Sequence, residues 1–218
     1  MKLSTVVFAV ITTAGVAIGG GLSIIGGSAF AQPAETEVRF MPQPKAASRV
    51  QLDTAEAEAA AAAHLLPNNV KSLLSQGAMQ HGEYAWNDDG VPQGKTTVWV
   101  DVRRQTVSVF RAGHEIGTAV ILYGKPGKDT PLGTFPVLRK VADYHSRTYD
   151  APMPHSLFIT NDGVALHGSN VSSGRATHGC IGLPPTFAEL LFAEAKIGTR
   201  VTVVHSDAGA TAQLASID

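Results

Sequence analysis

The chain has 218 residues, 44% hydrophobic and 16% charged, with 17 basic against 18 acidic side chains and a net charge of −1. That length holds one ordinary domain with extensions, and the balanced charge implies no polyanion-binding surface or strongly acidic tail, which speaks against nucleic acid as the main partner. An intrachain disulfide is excluded too, because Cys180 is the single cysteine.

Residues 1–31 read as an export signal. Lys2 precedes an uncharged stretch from Leu3 to Ala31, with an apolar body over Val6–Ile25 and the small-x-small site Ala29-Phe30-Ala31. An uncleaved membrane anchor is the alternative, since the apolar run is long enough to span a bilayer. Glycines at 19, 20, 21, 26 and 27 weaken such a helix. Either way the remainder is expected outside the cytoplasm, in the periplasm or cell envelope, with membrane attachment only if the segment stays.

Residues 32–77 read as a spacer: a Pro-rich polar stretch, then a helix over Asp53–Leu66 stopped by Pro67. Asp53 and Glu56 form a capping box there. The alanine run that follows lacks a large apolar stripe, so a solvated helix that docks weakly is expected. Val70, Leu73 and Leu74 before Gly77 suggest one more short helix.

A catalytic domain is expected over residues 78–206. From Thr96 the apolar period becomes two: Val98, Val100 and Val102, then Val107 and Val109 after a tight turn at Arg104-Gln105. Further strands are expected over His114–Leu122, Thr134–Val141, Leu157–Thr160, Val164–His167 and Thr199–Val204. Turns fall at Arg111–His114 and Asn161–Gly163. Thr186 and Glu189 suggest a capping box for a helix that Gly198 closes. The fold class is therefore mostly β: a predominantly antiparallel mixed sheet, sandwich-like or barrel-like, with one C-terminal helix and short N-terminal helices. The tail 207–218 is small and polar, and no role is assigned to it.

Chemistry concentrates in one stretch. His167-Gly168 ends a strand, a Gly/Ser-rich loop follows, and Thr177-His178-Gly179-Cys180 closes it. A cysteine nucleophile needs a histidine partner, backbone donors for an oxyanion and an open face. His178 lies two residues before Cys180, on the same side of an extended segment. Gly179 leaves its own amide and that of Cys180 unshielded. Zinc is a rival, because His167, His178 and Cys180 are all ligand types. Their spacing matches no common metal motif, and His145, His155 and His205 are fourth ligands only in principle. No metal and no cofactor is expected.

The pattern His167-Gly168, loop, Thr177-His178-Gly179-Cys180-Ile181 resembles the signature of the L,D-transpeptidases, the YkuD-like family of bacterial cell-wall enzymes. Gln105–Phe110 resembles the family's early strand pair. Gly124–Gly127 with Thr130–Phe135 resembles its glycine-rich turn region, and Tyr149–Pro154 a stretch seen in proteobacterial members. The resemblance covers about Thr96 to Val204. It departs at Gly182, where members usually carry Arg or Asn, and in a loop between His167 and Thr177 that is shorter than in many members.

The resemblance implies an acyl transfer on peptidoglycan stem peptides, with Cys180 as nucleophile and D-Ala as leaving group. His167 is the expected general base and acid, and His178 an orienting or charge-stabilising group. Gly179 and Cys180 amides are expected to hold the oxyanion, with Thr177 and Gly168 supporting the loop. Arg175 is expected to take over the substrate contact that Gly182 lacks. A hydrolase using the same thioester, and a wall-binding module without catalysis, are the alternatives.

Overall fold

The computed structural model describes residues 44–206, so the export segment, the start of the spacer and the polar tail lie outside the described residues. No helix among the described residues is long and apolar enough to cross a membrane. The strands are β1 (Ser48–Gln51), β2 (Ser72–Ser75), β3 (Tyr84–Trp86), β4 (Thr96–Asp101), β5 (Thr106–Arg111), β6 (His114–Val120), β7 (Gly133–Pro136), β8 (Arg139–Ser146), β9 (Ala151–Phe158), β10 (Ala165–Gly168), β11 (Ile181–Leu183) and β12 (Arg200–Val204). Two helices accompany them, α1 (Thr54–Ala62) and α2 (Pro185–Glu194).

The strands form two mixed sheets. One has eight strands, in the order β1-β2-β6-β5-β4-β12-β7 with β3 also paired to β6, and the other runs β11-β10-β9-β8. Neither closes on itself, so the fold is the sandwich-like alternative and not the barrel-like one. Val98, Val100, Val107 and Val109 of the large sheet face Leu157, Leu166, Ile181 and Leu183 of the small one in a single core. This is the period-two pattern of the sequence turned inward. Phe187 and Leu191 of α2 complete it. The Phe187 ring is edge-on to Trp86, with 5.5 Å between centroids.

Several elements differ from expectation. The stretch around Leu73 and Leu74 is strand β2, paired antiparallel with β1; four residues between turns are too few for an amphipathic helix to declare itself. Thr134–Val141 divides into β7 and β8, which belong to different sheets. Pro136 lacks the amide that a continued ladder needs. Helix α2 starts two residues earlier than its Thr186–Glu189 box suggests. Its N-cap is Pro184, which makes no side-chain cap, and Gly198 lies beyond the helix end, at φ +85°, in the turn into β12. The carbonyls at the C-terminal end of α2 are met from outside: Lys140 Nζ donates to Phe192 O and Ala195 O, at 2.5 Å each.

Helix α1 has the expected capping box, Asp53 Oδ1 accepting Glu56 N–H at 2.7 Å and Glu56 Oε2 accepting Asp53 N–H at 3.1 Å. It ends sooner than Pro67. His64, at φ +57°, takes the left-handed turn that glycine usually supplies. The helix is also not a solvated rod. Ala57 and Ala60 are buried, and Leu65, Leu66 and Val70 after it pack on Phe110 of the large sheet's outer face. The segment read as a spacer thus contributes β1, α1 and β2 to the described unit.

Candidate active site

The turn residues Asn161-Asp162-Gly163 return the chain from β9 into β10, and β10 pairs in parallel with β11. The register sets Leu166 against Ile181 and His167 against Gly182. Alternation then turns Leu166 and Ile181 to the core, and places His167, Gly182 and the preceding Cys180 on the opposite face. Cys180 is thereby one diagonal step from His167: one strand spacing across, roughly 4.8 Å, and two residues along, roughly 6.6 Å. The parallel pair brings together two residues that the sequence separates by a loop.

His167 is buried, and its Nδ1 lies 2.9 Å from Gly168 O. A carbonyl oxygen can only accept, so Nδ1 carries the proton and Nε2 is left with its lone pair. Burial holds the His167 pKa below its ordinary value, against the smaller upward pull of the Gly168 carbonyl. Burial likewise pushes the Cys180 thiol up; the Ala165 amide opposes this and the nearby Asp162 carboxylate adds to it. The thiol lies 3.8 Å from Gly163 O. Both shifts favour a neutral thiol beside a neutral imidazole over a thiolate–imidazolium pair.

His178 is placed differently from expectation. It is exposed and stacks on Tyr149 at the tip of the β8–β9 hairpin, with 4.4 Å between ring centroids and 17° between planes. Across the base of that tip, His145 Nε2 meets Asp150 Oδ1 at 2.9 Å. The reason lies in the backbone: Gly179 has φ +114°, which breaks the extended alternation that would have aligned His178 with Cys180. A Cβ at 179 would meet nothing closer than Asp129 O at 3.6 Å. The dihedral, not the space, calls for glycine there.

Thr177 ties the segment together. Its hydroxyl donates to Cys180 O at 2.5 Å and accepts the Gly179 amide at 3.3 Å. Its backbone exchanges bonds with Tyr123 O and Lys125 N–H. The Gly124–Thr130 loop abuts this anchor. A Cβ at Gly124 would fall 2.0 Å from Lys128 O, so only glycine fits, and Thr130 Oγ1 accepts the Gly124 amide. The Cys180 amide has no hydrogen-bond partner among the described residues.

Gly182 is buried, and its backbone exchanges two 2.9 Å bonds with Leu122. A Cβ there would lie 3.1 Å from Ser169 Cβ and 3.2 Å from Leu122 Cβ. Ser169 and Leu122 therefore occupy the space into which a longer residue would project. Arg175 is exposed in the turn Ser172–Arg175, and its side chain makes no hydrogen bond among the described residues. No group of three or more metal-ligating side chains occurs among the described residues. Tyr149, the Gly163 carbonyl and Asp162 are further neighbours of the site. The sequence marks Tyr149 only through the Tyr149–Pro154 resemblance and Asp162 and Gly163 only as turn residues, and no spacing signals a stack between hairpin and loop.

A half-buried cysteine just before β11 and a buried histidine on the adjacent parallel β10, with a glycine-shaped loop carrying the thiol, bring together the residue types that cysteine acyl transfer uses. The family model of the YkuD L,D-transpeptidase catalytic domain matches residues 95–203, half of the chain, and the chain belongs to this family. Among curated relatives, L,D-transpeptidase 1 of Mycobacterium tuberculosis is 28% identical over 134 residues, covering 53% of each sequence. The chain thus spans about half the length of the curated relatives it matches. Among solved structures, an L,D-transpeptidase from Stackebrandtia nassauensis is 25% identical with a TM-score of 0.49, over 56% of this chain and 62% of that one. One from Mycobacterium smegmatis is also 25% identical, with a TM-score of 0.47 over 50% and 58%.

Proposed function

We propose that the chain is a peptidoglycan L,D-transpeptidase acting through a thioester on Cys180, exported to the periplasm or cell envelope. The observation that carries this reading is the 2.9 Å contact between His167 Nδ1 and Gly168 O, which selects the Nδ1–H tautomer. With Nδ1–H spent on Gly168 O, Nε2 faces the reaction as a base. Because burial disfavours both charges, proton transfer and attack are coupled. Cys180 Sγ attacks the carbonyl before the terminal D-Ala of a stem tetrapeptide as its proton passes to His167 Nε2. The oxyanion forms against the Cys180 amide and the loosely held Gly179 amide. Collapse breaks the C–N bond, His167 returns the proton to the departing D-Ala amine, and a thioester remains. A side-chain amine of a neighbouring stem then attacks the thioester, gives its proton to His167, and releases the thiol.

Thr177 and Gly168 act as supports for the loop and the imidazole. His178, against Tyr149, takes a place beside the bound stem, and Arg175 reaches a substrate carboxylate from the exposed turn. The test is mass spectrometry of disaccharide-tetrapeptide fragments incubated with the protein. Loss of D-Ala with a new stem-to-stem bond is expected, absent in Cys180→Ala. His167→Ala should lose about 10²–10⁴-fold in rate, and His178→Ala less. Loss of D-Ala with water as the sole acceptor would replace the transferase with a hydrolase. No reaction from folded protein would leave a wall-binding module.

A further inference from the structure

The outer face of the large sheet, turned away from the sheet that carries Cys180, holds a second concave site of about 510 Å³. Strand register builds its floor. Thr134, Thr202 and Trp99 line up across β7, β12 and β4, and Arg200 stands opposite Thr97 one step along. Thr134 Oγ1 and Thr202 Oγ1 are 3.2 Å apart, so hydroxyls form a continuous row. The wall is the loop after α1, which presents His64, Asn68 and Asn69. His64 holds a left-handed φ of +57°, and Asn69 one of +65°. Glycine would adopt either without strain, yet both positions carry polar side chains at the pocket.

The lining chemistry is one-sided. Lys95 and Arg200 line the pocket along with His64, none of the lining residues is acidic, and neither Lys95 nor Arg200 pairs with a carboxylate among the described residues. Hydroxyls and amides that offer both donors and acceptors surround one partly exposed indole. An apolar ligand would leave those polar groups unpaired, and a bare anion would leave the indole uncovered. A ring with many hydroxyls and one negative group satisfies all three features: its face on Trp99, its hydroxyls on Thr and Asn, its charge between Lys95 and Arg200.

We propose that this pocket binds an acidic saccharide unit, a sugar ring bearing a carboxylate or a phosphate. It is a binding site separate from the chemistry at Cys180 and does not depend on that assignment. The test is titration of the full chain, followed by tryptophan fluorescence, with four probes: N-acetylmuramic acid, N-acetylglucosamine 1-phosphate, neutral N-acetylglucosamine and inorganic phosphate. At least one acidic sugar should change the emission with a dissociation constant on the order of 1 mM, and whichever acid binds tells carboxylate from phosphate. Neutral sugar and inorganic phosphate should each bind at least about tenfold more weakly, a difference of one ion pair or one stacked ring. The exposed pair Lys95→Gln with Arg200→Gln should abolish binding at unchanged melting temperature, and Trp99→Phe should abolish the signal. Equal binding of the neutral sugar or of phosphate alone, survival in the double variant, or no response to either acid would overturn the proposal. Acylation at Cys180 should be unaffected throughout.

Discussion

Replacing Thr177 by valine keeps the shape of the side chain and removes its hydroxyl. The hydroxyl joins two ends of the nucleophile loop, donating to Cys180 O at 2.5 Å and accepting Gly179 N–H at 3.3 Å. A net hydrogen bond is worth about 1 kcal/mol, and stranding a half-buried carbonyl adds up to about another, so the loss is about 1–2 kcal/mol. For a domain of this size each kcal/mol moves the melting temperature by about 2–4 °C, giving a drop of about 2–8 °C. The rate should suffer more than the stability. The freed loop no longer fixes Cys180 on the His167 face, and a misplacement of about 1 Å reduces rates by up to about 10²-fold. The assay is the rate at which a carbapenem such as imipenem adds one drug mass to the intact protein, beside a thermal melt. Thr177→Ser should restore both. A valine variant that melts as the parent does and is acylated at the parent rate would refute the anchoring role.

Acylation should decline on the acid side with a midpoint below 6.5, since burial lowers the His167 pKa from that value and the neutral imidazole is the base. A midpoint above ~7 in the measured pH–rate profile would contradict this. Glu115 is buried under β2, where it accepts the Leu74 amide at 2.8 Å, and burial raises its pKa from 4.5 to about 7. Its contribution to stability is therefore full below pH 4.5 and is lost as pH rises through about 7, on the order of 3 kcal/mol in all. Urea denaturation across that range should show the decline in the parent and lose it in Glu115→Gln. Buried Arg111 meets Glu194 at 3.0 Å and the half-exposed Asp88 at 3.1 Å. Glu194→Ala should thus lose up to about 3 kcal/mol by removing the more buried of the guanidinium's two carboxylates, and Arg111→Met less, both read from denaturant midpoints.

The sequence was readable wherever one rule acted alone. The alternating valines of β4 and β5 faced a core on one side, and Asp53 with Glu56 announced a helix start through contacts only three residues apart. It was unreadable where tertiary context decided. β2 is a strand because β1 and β6 flank it, although Leu73 and Leu74 adjoin as they would in a helix. Pro184, not Thr186, begins α2 because the chain enters the helix straight from the core residue Leu183. At the site, Cys180 and His167 stood out by residue type and spacing. The stack of His178 on Tyr149 did not, because it joins a hairpin and a loop some thirty residues apart and hangs on the left-handed Gly179.

The parallel pairing of β10 with β11 also limits how this site can change. Between Gly168 and Ile181 the chain makes its return in twelve residues, Ser169 to Cys180. A parallel crossover needs about a dozen. Deletions in that excursion therefore pull the two strands out of register and separate thiol from imidazole. Insertions behave differently, because the exposed turn at Ser172–Arg175 is tied to neither strand, and doubling a loop adds only about 0.6 kcal/mol of closure entropy. Length at this one position is an asymmetric variable, closed to shortening and open to growth, and new recognition surface can be added there without moving the reacting atoms.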